Sequence, residues 1–478
     1  MLEKDLLTRV LNQALQNGGD FAEIFIEKKQ VNNIFCEDDK IEKINSGRET
    51  GAGIRLITGA NTAYVYTNDL SEEGLIKAAQ VISHVARTTK NLPSRDITLT
   101  LQKPRLQYNF HRPPENVGFE EKISHVMKAN AAARRVSNEI RQVTVAIGDL
   151  HKQTQIANSN GELVEDDKAR IRVLINCVAA REGVIQTGYE SAGGVCGWEL
   201  LDNISLPDMA EKAARRAITM LSARPAPAGR MAVVMSSEAG GTMVHEACGH
   251  GLEADLVQKG MSVYKNRLGE NVAAPCVNVV DDGTLAGQYG TSAFDDEGTL
   301  TRRNVLIENG RLVQYMYDRL TALKEGREST GNGRRESYQH KPVVRMTNTF
   351  IEPGQDNPED IIKSTPRGLL VKKMGGGQVN TTNGDFVFNV QEGYLIENGK
   401  IKYPVRGAIL SGNGPRVLME IDRVGNDLGF AIGVCGKDGQ GVAVADAQPT
   451  IRIKELTIGG TFNSKEMQLN RFGWRWVF

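Results

Sequence analysis

The sequence predicts a mixed α/β (α+β) protein, and three observations carry that reading. Fifty of its 478 residues are glycine and only 15 are proline, a balance that suits a turn-dense β framework and excludes an all-helical one. Runs with apolar residues at helical spacing alternate with runs whose apolar residues fall at every other position. Two Asn-Gly pairs, within 307–312 and 396–401, sit between short β-prone segments and suit two-residue type I′ hairpin turns.

The elements follow in order. Leu2, Leu6, Leu7, Val10, Leu11, Ala14 and Leu15 recur at helical spacing, and Gly18-Gly19 offers the stop. Short strands are expected at 21–28, 31–36, 52–57 and 63–66. Asp69 or Ser71 then caps a helix carrying Leu75, Ala78, Ala79, Ile82 and Val85. Residues 88–117 are polar and proline-bearing, a crossing loop. A second round begins with a helix from Phe119 to about Val136. Strands follow near 141–150, 152–157, 169–179 and 183–190, with hairpin-turn chemistry at 158–161. Ser205-Leu206-Pro207-Asp208 opens another capped helix, with proline in its first turn. Both rounds run strands then helix and both hold an Ile-Arg pair, which shared α/β habit explains more readily than a duplication. The stretch 223–229, ARPAPAG, reads as a linker. Two domains are therefore expected: 1–222, with a sub-division near 115, and a β-rich 230–478.

Composition narrows the function. Lys+Arg and Asp+Glu both number 58, so the net charge is zero and nothing global draws the chain to nucleic acid or an anionic membrane. No window approaches the roughly 18 consecutive apolar residues of a membrane span, and the amino terminus lacks the apolar core of a signal peptide. Six cysteines without paired spacing fit free thiols in a reducing cytosol, hence a cytoplasmic protein. The glycine run 374–378, centred on Gly376, is followed by no Lys-Ser/Thr pair, which disfavours a nucleotide loop. It reads instead as tight turns, or as exposed backbone that an extended peptide joins by strand addition. Arg334-Arg335 lacks the aromatic neighbours and basic patch of a nucleic-acid site.

One segment stands apart. Residues 240–256 read GGTMVHEACGHGLEADL and place His245-Glu246 five residues before His250, one residue longer than the zinc-binding H-E-x-x-H. At about 100° per residue, positions i and i+5 diverge by about 140°. A straight helix cannot aim both imidazoles at one ion, so the helix must bulge or kink near Gly249, and a single π turn is the economical device. Neutral imidazoles are the ligands such a site needs, and a carboxylate beside the metal, here Glu246, takes the proton from water. Spacing leaves the third ligand open among Cys248, Glu253 and the glycine-flanked Cys435.

Four separated blocks then agree in order: HEACGHGLEADL, GRRESYQHKPVVRMTNTFIEPG (333–354), MGGGQVNTTNGDFVFNVQEGYLIENGKI (374–401) and GVCGKDGQGV (433–442). Together with EDDKIEKINSGRETGAGIRLI (37–57), they resemble the TldD/PmbA family of modulator proteins over nearly the whole chain. The intact H-E-x-x-x-H helix resembles that of the TldD-type subunits, which are zinc metallopeptidases, whereas the PmbA (TldE)-type partner lacks it. The resemblance implies one Zn2+ per subunit on His245, His250 and Cys435, with Glu246 as catalytic acid/base. It also implies small or unfolded polypeptide substrates, such as leader peptides and antitoxins. A heterodimer with a PmbA-type subunit is expected, or a homodimer. Tyr338, His340 and Arg345 are candidate oxyanion donors and Gly376 a backbone contact. The competing expectation is a peptide-binding or regulatory subunit with a structural metal, its shell closed by Cys248 or Glu253.

Overall fold

The computed structural model describes residues 1–86, 95–108 and 110–460, so the crossing loop expected over 88–117 lies partly outside the described residues. The first helix, Lys4–Leu15, buries Leu7, Val10, Leu11, Ala14 and Leu15. It is followed by Gly18 and Gly19 at φ 111° and 118°, conformations that a side chain would strain. The strands expected at 21–28 and 31–36 are one strand, Phe21–Glu37. It pairs continuously with Lys40–Thr58 across a turn in which Asp38 and Asp39 adopt φ 48° and 65°. The sequence conceals the first half of Lys40–Thr58 because residues 40–50 are mostly exposed, leaving no alternation to read. Asn61–Thr67 completes the unit, and the Ser71 hydroxyl accepts from the Gly74 N–H (3.1 Å) to cap Glu72–Ser83.

The second round repeats this order. Helix Phe119–Arg135 is followed by strands Ile140–Asn158, Glu162–Arg181 and Val184–Gly194, then helix Leu206–Leu221 with Ser205 as its cap. The segments expected at 141–150 and 152–157 are a single strand. The apolar alternation of Val143, Val145 and Ile147 ends at Asp149, which is buried against Lys122 at 2.6 Å. Strands Phe21–Glu37 and Ile140–Asn158 pair antiparallel and join the two rounds into one seven-stranded sheet. The repetition is thus plainer in topology than in sequence. Helices cover one face of this sheet over two apolar cores.

The opposite face is charged and buried. Arg55 meets Glu23 (2.8 Å) and Glu297 (2.6 Å), and Arg335 meets Glu23 (2.5 Å). Such ion pairs recover their desolvation cost only when well bonded, so they specify how the two halves dock more than they add stability.

The second half is β-rich. Five strands form a closed ring: Gly229–Met235, Ile451–Gly459, Ile409–Asn413, Asp385–Glu397 and Arg367–Val379, which returns to Gly229–Met235. Part of the expected linker is itself a short strand, Arg224–Pro225, pairing with Val405 and Arg406. Both Asn-Gly turns adopt positive φ at both residues, 48° and 80° at Asn309-Gly310 and 52° and 68° at Asn398-Gly399. A six-stranded sheet lies beside the ring. Its last two members are Gln440–Gln448 and, at the edge, Gly429–Lys437. Among the described residues no helix is long and apolar enough to cross a membrane.

Candidate metal centre

Strand Gly229–Met235 leads through Gly240 (φ 71°) into a helix of unusual make-up. Thr242–Val244 is α-helical, His245–Gly249 is a π turn in which the His250 N–H donates to the His245 carbonyl, and His250–Leu252 is a 3-10 turn. The expected bulge is therefore present, but the helix expected over 240–256 is not continuous: Glu253 is extended before Ala254–Gln258 resumes. The wider turn carries His250 round to the side of His245, and their rings meet edge to face with centroids 4.8 Å apart. The Tyr264 hydroxyl satisfies the Ala247 carbonyl at 2.9 Å. Gly249 does not lend conformational freedom here, since its φ of −50° suits any residue. It lends space, because a Cβ there would sit 2.2 Å from the Met346 sulfur.

Cys435 arrives from the edge strand Gly429–Lys437. Its Sγ lies 3.4 Å from His250 Nε2, and one ligand atom from each of His245, His250 and Cys435 falls within 4.8 Å of the other two. Donor atoms around a tetrahedral zinc sit roughly 3.3–3.8 Å apart, so a small inward adjustment suffices. The Nδ1 atoms are already engaged: His245 with Asp446 Oδ1 (2.8 Å) and His250 with Glu253 Oε2 (3.2 Å). That fixes both rings and turns Nε2 toward the thiol, the carboxylate–histidine arrangement of metal sites. Lys437 holds Glu253 at 2.9 Å and also meets Asp255 (2.6 Å) and the Val344 carbonyl (3.0 Å).

Electrostatics agree with this donor set. Burial would raise the Cys435 pKa, but the two imidazoles outweigh it and bring the thiol down to about 4. Burial disfavours the His250 imidazolium, yet Glu253 and Cys435 lift it to about 10. A cluster that stabilises a thiolate and a positive charge beside it is one in which a dication can displace protons. Burial pushes the Glu246 carboxyl up, with His245 and His250 opposing. Glu246 is half-buried, and among the described residues its carboxylate has no hydrogen-bond or ion-pair partner.

The other candidates lie elsewhere. Cys248 is fully buried among core residues, its thiol raised to about 12 by burial, so it packs and does not face the histidines. Glu253 orients His250. Arg345, fully buried, donates to the Cys435 and Gln440 carbonyls and so holds the strand bearing Cys435. Tyr338 is buried at the seam with Phe25 and Ile156, its backbone N–H bonded to Glu27 (3.0 Å). His340 Nδ1 meets the Ser337 hydroxyl (3.0 Å). Gly376 is exposed where Arg367–Val379 slips register between Met374 and Gly377. None of Tyr338, His340 or Gly376 contacts the cluster. Asp446 and Lys437 were missed; the signal for Asp446 was an acid within the otherwise apolar strand GVAVADAQ.

Three models of one family match the chain in succession: the PmbA/TldA metallopeptidase domain 1 over residues 22–86, the central domain over 112–221 and the C-terminal domain over 228–460. A metalloprotease TldD homolog of Haemophilus influenzae is 35% identical over 449 residues, covering 92% of this chain and 93% of its own. This chain belongs to the PmbA/TldD family. A metalloprotease of Methanocaldococcus jannaschii is 36% identical, covering 91% of this chain and 96% of its own. A zinc metalloprotease TldD homolog of Saccharolobus solfataricus is 28% identical, covering 95% and 99%. Two solved structures share the fold. One is a candidate modulator of a DNA gyrase from Thermotoga maritima (TM-score 0.79, 23% identity, 95% of this chain and 100% of that one). The other is TldE from Thermococcus kodakarensis (0.74, 19%, 95% and 100%). His245, His250 and Cys435 all lie within the segment matched by the PmbA/TldD C-terminal domain.

Proposed function

We propose that this chain is a zinc-dependent metallopeptidase that hydrolyses peptide bonds in small or unfolded polypeptides. The observation that carries it is the convergence of a His245 ring nitrogen, His250 Nε2 and Cys435 Sγ beside the carboxylate of Glu246, which has no partner among the described residues. Three protein donors leave one position open, the pattern of a catalytic site, and a relative described as a zinc metalloprotease supports the choice of metal. Zinc bound there would acidify water and polarise the scissile carbonyl. Glu246 accepts the proton of the attacking water and delivers it to the leaving amine nitrogen as the C–N bond breaks. A carboxyl raised by burial suits both halves of that transfer.

Strand Gly429–Lys437 is a sheet edge, flanked by an open groove of about 740 Å³. An extended peptide pairing with that edge would lie next to Cys435 by backbone bonds alone, which favours unfolded substrates over any one sequence. Likeness to TldE supports a dimer with a PmbA (TldE)-type subunit, a homodimer being the alternative. The six unpaired thiols support a reducing, cytoplasmic location. The proposed domain division is 1–222 and 230–478.

The test compares wild type with Glu246→Ala for zinc content by mass spectrometry and for cleavage of an unfolded peptide. The assay is run alone and with a PmbA-type partner. Retained zinc with lost cleavage is the expected result. Wild type that holds zinc yet cleaves nothing in either setting overturns the peptidase reading.

A further inference from the structure

A second polar site lies at the seam between the two halves, on the other side of the hairpin that carries Cys435. A cavity of about 220 Å³ opens between the strands Phe21–Glu37, Ile140–Asn158 and Glu162–Arg181 and the loops of the second half, with Val434 and Ala443 in its wall. Cationic side chains outnumber acidic ones in its lining. Most are already matched: Lys152 by Glu27 (2.7 Å), Lys168 by Asp166 (3.0 Å) and Arg335 by Glu23 (2.5 Å).

Two guanidiniums are not. Arg334, only 6% exposed, donates to the Met346 carbonyl (2.5 Å) and the Ala443 carbonyl (2.6 Å). Arg170 donates to the carbonyls of Tyr289 (3.0 Å) and Thr291 (3.2 Å). Neither has a carboxylate partner among the described residues. The acids in reach are committed elsewhere: Asp281 to Asn332, Thr347 and Thr349, and Asp296 to the Arg335 N–H and Lys152. Burial, then the like charge of Arg170, drives Arg334 down to about 10. A buried cation with only carbonyl partners is costly unless an anion accompanies it.

We propose that this cavity binds a small oxyanion, held by Arg334 and Arg170 across the seam between the halves. Phosphate and carboxylate present the same oxygens to a guanidinium fork. The source is either free phosphate or the terminal carboxylate of a peptide lying in the adjoining groove, which shares Val434, Glu336 and Tyr289 with the cavity. The site does not depend on the metal, so its test reads binding and not cleavage.

Isothermal titration calorimetry at constant ionic strength measures inorganic phosphate, and a short peptide with a free or an amidated carboxy terminus, on the full chain. The expected result is saturable binding of phosphate or of the free-acid peptide, weakened at least tenfold by Arg170→Gln. Val31→Phe, which fills the cavity without altering its charge, should abolish the same binding. Phosphate binding alone identifies a free anion. A tenfold loss on amidation identifies the peptide terminus. Binding no tighter than that of chloride, or equal binding by folded Arg170→Gln and Val31→Phe proteins, overturns the proposal.

Discussion

Glu246 and Asp446 occupy opposite sides of the same chemistry and should fail differently. Glu246→Gln removes a proton acceptor without touching the donors. Peptide cleavage is expected to fall about 10²–10⁴-fold while zinc content stays at the wild-type level. Asp446→Ala instead frees the His245 ring, and zinc affinity should fall about 10–100-fold in a competition with a chelator. Because the thiol and imidazoles must shed protons before a metal binds, affinity in both proteins should decline as pH falls. At this scale the sequence was informative where chemistry is carried by unusual residues. Two of seven histidines around a glutamate are conspicuous; Asp446 is not, because its role depends on a partner 201 positions away.

The decisive element is the π turn at His245–Gly249. Its spacing could be read in advance, since an i, i+5 pair cannot share a ligand from a straight helix. The reason for Gly249 could not, because Met346 reaches it from a distant strand-flanking segment. Gly249→Ala is expected to cost about 1–3 kcal/mol through the enforced contact with the Met346 sulfur. Urea titrations of Gly249→Ala, Met346→Ala and the double variant should show the double loss smaller than the sum of the singles. Additive losses would mean the glycine serves backbone freedom after all. Hairpins were legible for a related reason: Asn309-Gly310 and Asn398-Gly399 encode their turn type locally. The long strands were not, since residues 40–50 pair at register while showing no apolar alternation.

Over the whole molecule, the charged seam should set the response to acid. Burial opposes ionisation of Asp296, but Lys152, Lys168 and the Arg335 N–H outweigh it and hold its carboxyl at about 2, below its ordinary 3.8. Between those values the unfolded chain binds more protons than the folded one, so this contribution to stability rises with pH. It is present in full above 3.8 and lost as pH falls through 2. Asp296→Asn should therefore be less stable than wild type near neutrality, with the gap closing toward pH 2 when midpoints are followed by circular dichroism. A gap that stays constant across that window would place the cause in packing.

What the sequence by itself determined is local: helix caps at Ser71 and Ser205, the Asn-Gly turns, the alternation of helix and strand, and the need for a bulge between His245 and His250. These rest on interactions among residues a few positions apart, so short windows contain them. Only the tertiary structure brought Cys435 and Asp446 onto the π turn, sent Cys248 into the core, and set buried Arg334 beside half-buried Arg170 at a cavity between the halves. Those outcomes depend on strand pairing and on the docking of one charged sheet face, where partners lie hundreds of residues apart and no local pattern records them.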